Sequence, residues 1–283
     1  MKFVHKRYLG YLIMGFVAAV IATFFLSDRY GNRAEKEATD MVVRDYPQIL
    51  ASGYINATTE YNSVSYFVDK DSIDGFHYQL FLRFSHDKGL IPQINPEMSY
   101  NERVEGLKEG KYDIIAYSIP TTSELKDSLF LTRPIALNKQ ILVQRKSAGN
   151  DSMFISNHLD LANKKLYVVK ASPSILRIQN LSDEIGDTIY IEEVDRYGAE
   201  QLLAMVAHGD IDYAVCDEDI ALASIDLFPE LDITTDISFT QFYSWGVNKE
   251  SPLLLDTLNA WLDDFTKTKE YQALYRKYYN VVN

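Results

Sequence analysis

The chain has 283 residues, 47% of them hydrophobic and 24% charged, and a formal net charge of −12. That is enough chain for one large domain or two smaller ones with a real core. The acidic balance argues against nucleic acid, which calls for a basic face, and the single cysteine, Cys216, excludes an intramolecular disulfide and a thiolate metal cluster.

The N-terminus carries the first element. Lys2, His5, Lys6 and Arg7 precede YLGYLIMGFVAAVIATFFL, residues 8–26, which holds no charge. About 20 such residues span a bilayer core as a helix. The basic flank should stay in the cytoplasm, which places the rest outside it. A cleavable signal is the competing reading, since Val20 and Ala22 stand at the small-residue positions. The apolar run continues through TFFL, longer than a usual signal core, which favours a retained anchor. No cysteine follows the run, so a lipid anchor is not expected. Residues 27–52 are polar with a few apolar positions and suggest a juxtamembrane helix and spacer.

From residue 53 onward strand and helix signals alternate. GYINATTEY suggests a strand running into a loop. GFHYQLFLRFSHDKG, residues 75–89, places Phe76, Leu80, Phe81 and Phe84 at helical spacing and ends at Gly89. The short helix YNERVEGLKEGK follows, then KYDIIAYSIPTTSEL, a buried strand running into a hydroxyl-rich turn. The plan recurs. KKLYVVKASPS is a strand with a second hydroxyl turn, SILRIQNL a helix, IYIEEV a strand and RYGAEQLLAMVAHGD a helix closed by Gly209. IDYAVCDEDIALASIDLF reads as strand, acidic turn and helix, and PLLLDTLNAWLDDFTKTK with EYQALYRKYYN supplies the last helices. Strands alternating with helices predict an α/β fold with mainly parallel sheets. Ligands of such sheets bind beyond the carboxyl ends of the strands, where the Ser/Thr turns and Asp217 fall.

GFHYQLFLRFSHDKGL, LKEGKYDIIAYSIPTTSE and LTRPIALNKQILVQRK resemble, in that order, the first lobe of family 3 extracytoplasmic solute-binding proteins. VAHGDIDYAVCDEDIAL resembles the strand and turn of the second lobe, and WLDDFTKTKEYQALYRKYY the closing helices. The resemblance covers about residues 48–280. YNSVSYFVDKDSIDGFHYQL and FPELDITTD are similar to the solute-binding-like module of the membrane-bound lytic murein transglycosylase F family. In that family a membrane segment precedes the module and a lysozyme-like catalytic domain follows it. The sequence after RKYYN offers no segment for such a domain, so no enzymatic activity is expected.

The resemblance implies a two-lobed, periplasmic-binding-protein-like (type II) α/β fold with a central cleft, preceded by one transmembrane helix. The expected organisation is 1–26 cytoplasmic stub and anchor, 27–52 spacer, 53–145 plus 243–283 lobe 1, and 146–242 lobe 2. The chain is expected to enter lobe 2 near Arg145 to Gly149 and return near Phe239 to Trp245.

Family members that bind amino acids carry a turn Gly/Ser-x-Ser/Thr-x-Thr-x-Glu-Arg, whose hydroxyls and arginine grip the ligand carboxylate. Ser118, Thr122 and Glu124 fit, and Thr121 adds a hydroxyl. Pro120 stands where the second hydroxyl belongs and Leu125 replaces the arginine. Ser172 and Ser174 occupy the place of the second-lobe turn, where two readings stay open, a helix cap or a ligand contact. Asp217 matches the family acid that pairs with a ligand amine, against the plainer reading of a solvated acidic turn with Glu218 and Asp219. Tyr61 and Tyr66, with Phe67 beside them, lie where family aromatics wall the cleft, against simple loop packing.

No metal or cofactor is expected, because Asp210 and Asp212 sit at the opposite end of their strand from Asp217 and fit no EF-hand spacing. His77 and His86 are expected as partly exposed helix residues. Glu192 and Glu193 face opposite ways in a strand and cannot flank one bond.

The expectation is therefore a membrane-anchored extracytoplasmic module, without enzymatic activity, that binds a small polar ligand for sensing or transport. A cell-wall fragment or an amino-acid-like molecule fits, with a free amino acid weakened by Leu125 and Pro120. It would reside on the inner membrane with the main domain in the periplasm, and an ABC permease or a murein enzyme are the candidate partners. Two alternatives stay open: a truncated or accessory relative of a lytic murein transglycosylase acting in peptidoglycan turnover, or a degenerate module that binds a protein.

Overall fold

The computed structural model describes residues 42–147, 153–195 and 197–279. The expected membrane segment at 8–26 and most of the spacer lie outside the described residues. No helix among the described residues is long and apolar enough to cross a membrane.

What is described of the spacer is a short helix, α1 (Tyr46–Ser52), with Pro47 in its first turn, where a missing N–H is harmless. Strand β1 (Tyr54–Thr59) follows, then a two-stranded ribbon of β2 (Phe67–Asp69) and β3 (Ser72–Asp74). Gly75 leads into α2 (Phe76–Asp87) with φ of 134°. A Cβ on Gly75 would stand 2.4 Å from the Ser65 carbonyl oxygen, so only glycine fits there. The helix turns Phe76, Leu80, Phe81 and Phe84 inward, all fully buried. Burying each such side chain stabilises the fold by about 1.5–3 kcal/mol.

The first half continues with β4 (Ile91–Pro96), α3 (Tyr100–Lys108), β5 (Ile114–Pro120), α4 (Ser123–Ser128), β6 (Phe130–Leu131) and β7 (Ala136–Asn138). β1 pairs in parallel with both β4 and β5, the pairing that helical crossovers such as α2 and α3 produce.

The second half holds β8 (Gln140–Arg145), β9 (Lys165–Val169), α5 (Ser174–Ile185), β10 (Tyr190–Val194), α6 (Ala199–His208), β11 (Ala214–Asp217), α7 (Glu218–Ser224) and β12 (Leu231–Asp236). Its sheet runs β10-β9-β11-β8-β12. β9 is parallel to β10 and β11, whereas β8 is antiparallel to β11 and β12.

The chain then returns through β13 (Gln241–Val247), which joins the first sheet between β5 and β6 and also pairs with β7. The closing helices α8 (Pro252–Phe265) and α9 (Lys269–Tyr278) belong to the first half. Phe76 of α2 meets Tyr271, Tyr275, Tyr278 and Tyr279 edge to face. The architecture is α/β in two lobes.

The first crossing falls earlier than the expected Arg145–Gly149. Asn138 still pairs with Gln241 in the first sheet, while Gln140 already pairs with Asp217 in the second. The switch at Lys139 lies inside ALNKQILVQR, which contains no glycine or proline to mark it. Strand partners distant in sequence decide it.

Candidate functional site

The strands of both lobes end around one cavity. β1 runs out at Glu60, β5 at Ser118 and Pro120, β9 toward Ser172, and β11 at Asp217, all of which line it. Its volume is about 50 Å³, room for roughly four waters. An outer groove of about 360 Å³ shares Pro120, Gln140 and Pro173 with it and reaches Thr122, Leu125, Arg177 and Phe239. The lobes are closed over the cavity. The Ser63 backbone N–H, in the loop after β1, donates to Glu200 Oε1 of α6 at 2.7 Å.

A buried ion pair forms one wall. Arg103 of α3 is 2% exposed and Glu60 5% exposed. The guanidinium donates from Nη2 to Glu60 Oε2 at 2.9 Å, and from Nη1 to the carbonyls of Glu97 and Met98. It lies over the Tyr117 ring at 4.6 Å and the Tyr100 ring at 5.8 Å. A buried charge needs such a partner, because the cost of leaving water would otherwise go uncompensated.

Asp217 forms the facing wall. Tyr243 Oη donates to its Oδ1 at 2.9 Å. Burial first, then the neighbouring Asp219 charge, pushes the Asp217 carboxyl well above the usual carboxylate range. Burial likewise pushes Asp219 up to about 6. Two acids so close, Asp219 buried and Asp217 partly so, do not both ionise easily. Burial also pushes the Cys216 thiol up, which suits an inert strand residue.

The hydroxyls of the turn after β5 are engaged within their own lobe. The Trp245 indole N–H donates to His77 Nδ1 at 2.9 Å. That leaves the His77 proton on Nε2, which donates to Ser118 Oγ at 3.0 Å. Ser118 Oγ also lies 3.3 Å from Tyr279 Oη. Thr121 Oγ1 meets Ser244 Oγ at 3.2 Å. Thr122 caps α4 by accepting from Leu125 N–H at 3.5 Å.

His77 is thus a correction to the expected partly exposed residue. It is fully buried, and burial lowers its pKa to about 3. Partners from β5 and β13 provide for both ring nitrogens, which helical periodicity within 76–87 could not reveal.

In lobe 2, Ser172 Oγ accepts from Ser174 N–H at 3.3 Å and meets Ser174 Oγ at 2.8 Å. Both serines border the cavity, in the turn that leads through Pro173 into α5. Ser118, Ser172, Ser174 and Asp217 are therefore brought together. Thr122 borders the outer groove, and Thr121 lies beside β13. Tyr61 and Tyr66 stack edge to face at 6.3 Å, Tyr66 also against Tyr78, and neither borders the cavity or the outer groove.

Glu60, Tyr100, Arg103 and Gln140 also line the cavity, and no motif in the sequence marks them. A signal existed for Arg103. Tyr100, Arg103 and Leu107 stand at i, i+3 and i+7 on one stripe of α3, so a cation occupies an apolar-face position.

Two α/β lobes closing on a cavity at the strand ends define a ligand-binding protein of the hinged, two-lobed kind. The profile of bacterial extracellular solute-binding proteins, family 3, matches residues 55–281, and the chain belongs to that family. The membrane-bound lytic murein transglycosylase F of Photobacterium profundum is 26% identical over 245 residues, 84% of this chain and 46% of that protein. The protein of the same name from Desulfosudis oleivorans is 25% identical over 236 residues, 83% of this chain and 51% of that protein. The chain thus spans about half the length of these relatives. Among solved structures, the L-arginine-bound protein Tv2483 is similar with a TM-score of 0.73 at 18% identity, covering 83% of this chain and 94% of that one. A mutant of the T. maritima arginine-binding protein gives 0.70 at 23% identity, covering 83% and 98%. At these identities the likeness concerns the fold.

Proposed function

We propose that this chain is an extracytoplasmic binding module that closes its two lobes on a small polar ligand and carries out no chemistry on it. The observation that carries this reading is the cavity between the lobes, walled by Glu60–Arg103 on one side and by Asp217, Ser172 and Ser174 on the other. Each lobe alone presents half of the polar groups, so a ligand touching both favours the closed state. An amino-acid-like or cell-wall-derived molecule suits the family and the named relatives. The uncharged run 8–26 behind a basic flank supports attachment to the inner membrane, with the binding module in the periplasm. Sensing or delivery to a permease are the roles such tethering suits.

Thermal unfolding of the purified chain against amino acids, amino-acid amides, amino sugars and muropeptides tests this. A ligand at 100 times its Kd should add about 2.7 kcal/mol of stability. Absence of any shift across the panel would refute a ligand-binding cleft. A second reading, an accessory role in peptidoglycan turnover, is favoured by the match to the transglycosylase relatives. Release of soluble glycan from murein by this chain alone would replace the non-enzymatic reading with that one.

A further inference from the structure

We infer that the outer groove seats an uncharged apolar arm, an aryl or branched alkyl group, of a ligand whose polar end lies in the inner cavity. The inference rests on the binding-module reading and specifies its ligand class. The inner cavity of about 50 Å³ is too small for a ring, since a cavity of about 150 Å³ is what encloses benzene. The groove offers about 360 Å³ and has Pro120, Gln140 and Pro173 as walls in common with the cavity, so one molecule can reach from one to the other. Its apolar lining comes from three parts of the chain: Pro120 and Leu125 of lobe 1, Pro173 and Leu176 of lobe 2, and Phe239 at the second crossing. Single exposed apolar side chains are ordinary, but five that line one concavity mark a binding surface. Leu176 belongs to none of the three hydrophobic cores among the described residues, and Phe239 is 89% exposed. An arm that covers both takes apolar surface out of water.

Charge and hydrogen bonding leave the arm uncharged. The ionisable side chains lining the groove are Glu124, Arg177 and Glu184. Arg177 is already matched. Its Nη1 and Nη2 donate to the two Glu184 oxygens at 2.6 and 3.2 Å, and its Nε to the Ile237 carbonyl at 2.8 Å. A carboxylate arm would therefore meet no unspent cation in the groove, and Glu124 would repel it. Glu124 is exposed, so an ammonium arm would gain little from it in water. The hydroxyls are engaged as well. Ser238 Oγ accepts from the Gln140 N–H at 2.9 Å and donates to the Phe239 carbonyl at 3.1 Å, and Thr122 caps α4. What the groove leaves without a partner is its apolar surface.

Phenylalanine against alanine, and phenylalaninamide against alaninamide, are matched probes that differ by one phenyl ring while the polar end stays the same. Calorimetric titration of the purified chain should give at least tenfold tighter binding of the phenyl-bearing member of whichever pair binds. A smaller or reversed preference, or binding of amino sugars or muropeptides alone, would overturn the inference and leave the binding module standing. Failure of every probe to bind, amino sugars and muropeptides included, would overturn both. The variant Leu176→Asn places a polar amide against the ring and should reduce the preference to less than threefold. A retained preference in a folded Leu176→Asn protein would overturn the placement of the arm in this groove. A groove covered instead by a second copy of the chain would show as a dimer that Phe239→Ser dissociates, and that result would also overturn the inference.

Discussion

Replacing His77 by glutamine should flatten the loss of stability in acid. His77 accepts from Trp245 and donates to Ser118, in full burial. Its pKa is lowered from 6.5 to about 3 by that burial. Between these values the unfolded chain binds a proton that the folded chain refuses. Stability present above pH 6.5 is therefore lost as pH falls toward 3. At about pH 4.5 the loss from this one group is about 3 kcal/mol. Asp219 acts in the opposite sense. Its carboxyl is raised from 3.8 to about 6, so the folded state takes the proton first and stability rises as pH falls through 6. Over the same interval that returns about 2 kcal/mol. Asp217, raised in the same sense, adds to that gain, and the substitution removes only the opposing contribution of the histidine. Urea midpoints at about pH 7 and pH 4.5 would measure this. His77→Gln should lose about 1–2 kcal/mol at neutral pH from altered packing, yet gain about 3 kcal/mol relative to the native protein on going to acid. Parallel pH dependences for the two proteins would refute the neutral, buried imidazole.

Other perturbations probe the scaffold and the cleft. Gly75→Ala puts a Cβ 2.4 Å from the Ser65 oxygen at a positive φ, and a loss of about 3 kcal/mol or more in urea unfolding is expected; near-native stability would contradict that close approach. Leu125→Arg returns a cation to the rim of the groove, and titration should show free amino acids binding at least severalfold tighter, with no gain refuting a carboxylate orientation toward that turn. Glu200→Ala removes the acceptor of the Ser63 N–H between the lobes. A hydrogen bond to a charged group contributes about 1.5–3 kcal/mol, so the ligand-free protein should open, seen as a larger radius of gyration in solution scattering. An unchanged radius would mean that this contact does not hold the lobes together.

Local pattern alone determined a good deal of this protein. The alternation of β and α signals, the Phe76, Leu80 and Phe84 stripe of α2, and the glycine stops after α2 and α6 each follow from spacing within one element. The hydroxyl turns and Asp217 could be placed at strand ends because strand polarity is itself a local property. The residues that make the cavity chemically distinct lay beyond that reach. Arg103 sits in a helix whose other charged residues face solvent, and Glu60, 43 positions earlier, together with the Glu97 and Met98 carbonyls, makes its burial tolerable. His77 has the local setting of an ordinary helix residue, and only Trp245 and Ser118, 168 and 41 positions away, bracket its ring. Lys139 carries the chain from one sheet to the other with no local break in the sequence, because partner strands distant along the chain choose the sheet. Periodicity reports which face of an element is buried; which charges meet across that face depends on long-range contacts, and only the folded chain creates them.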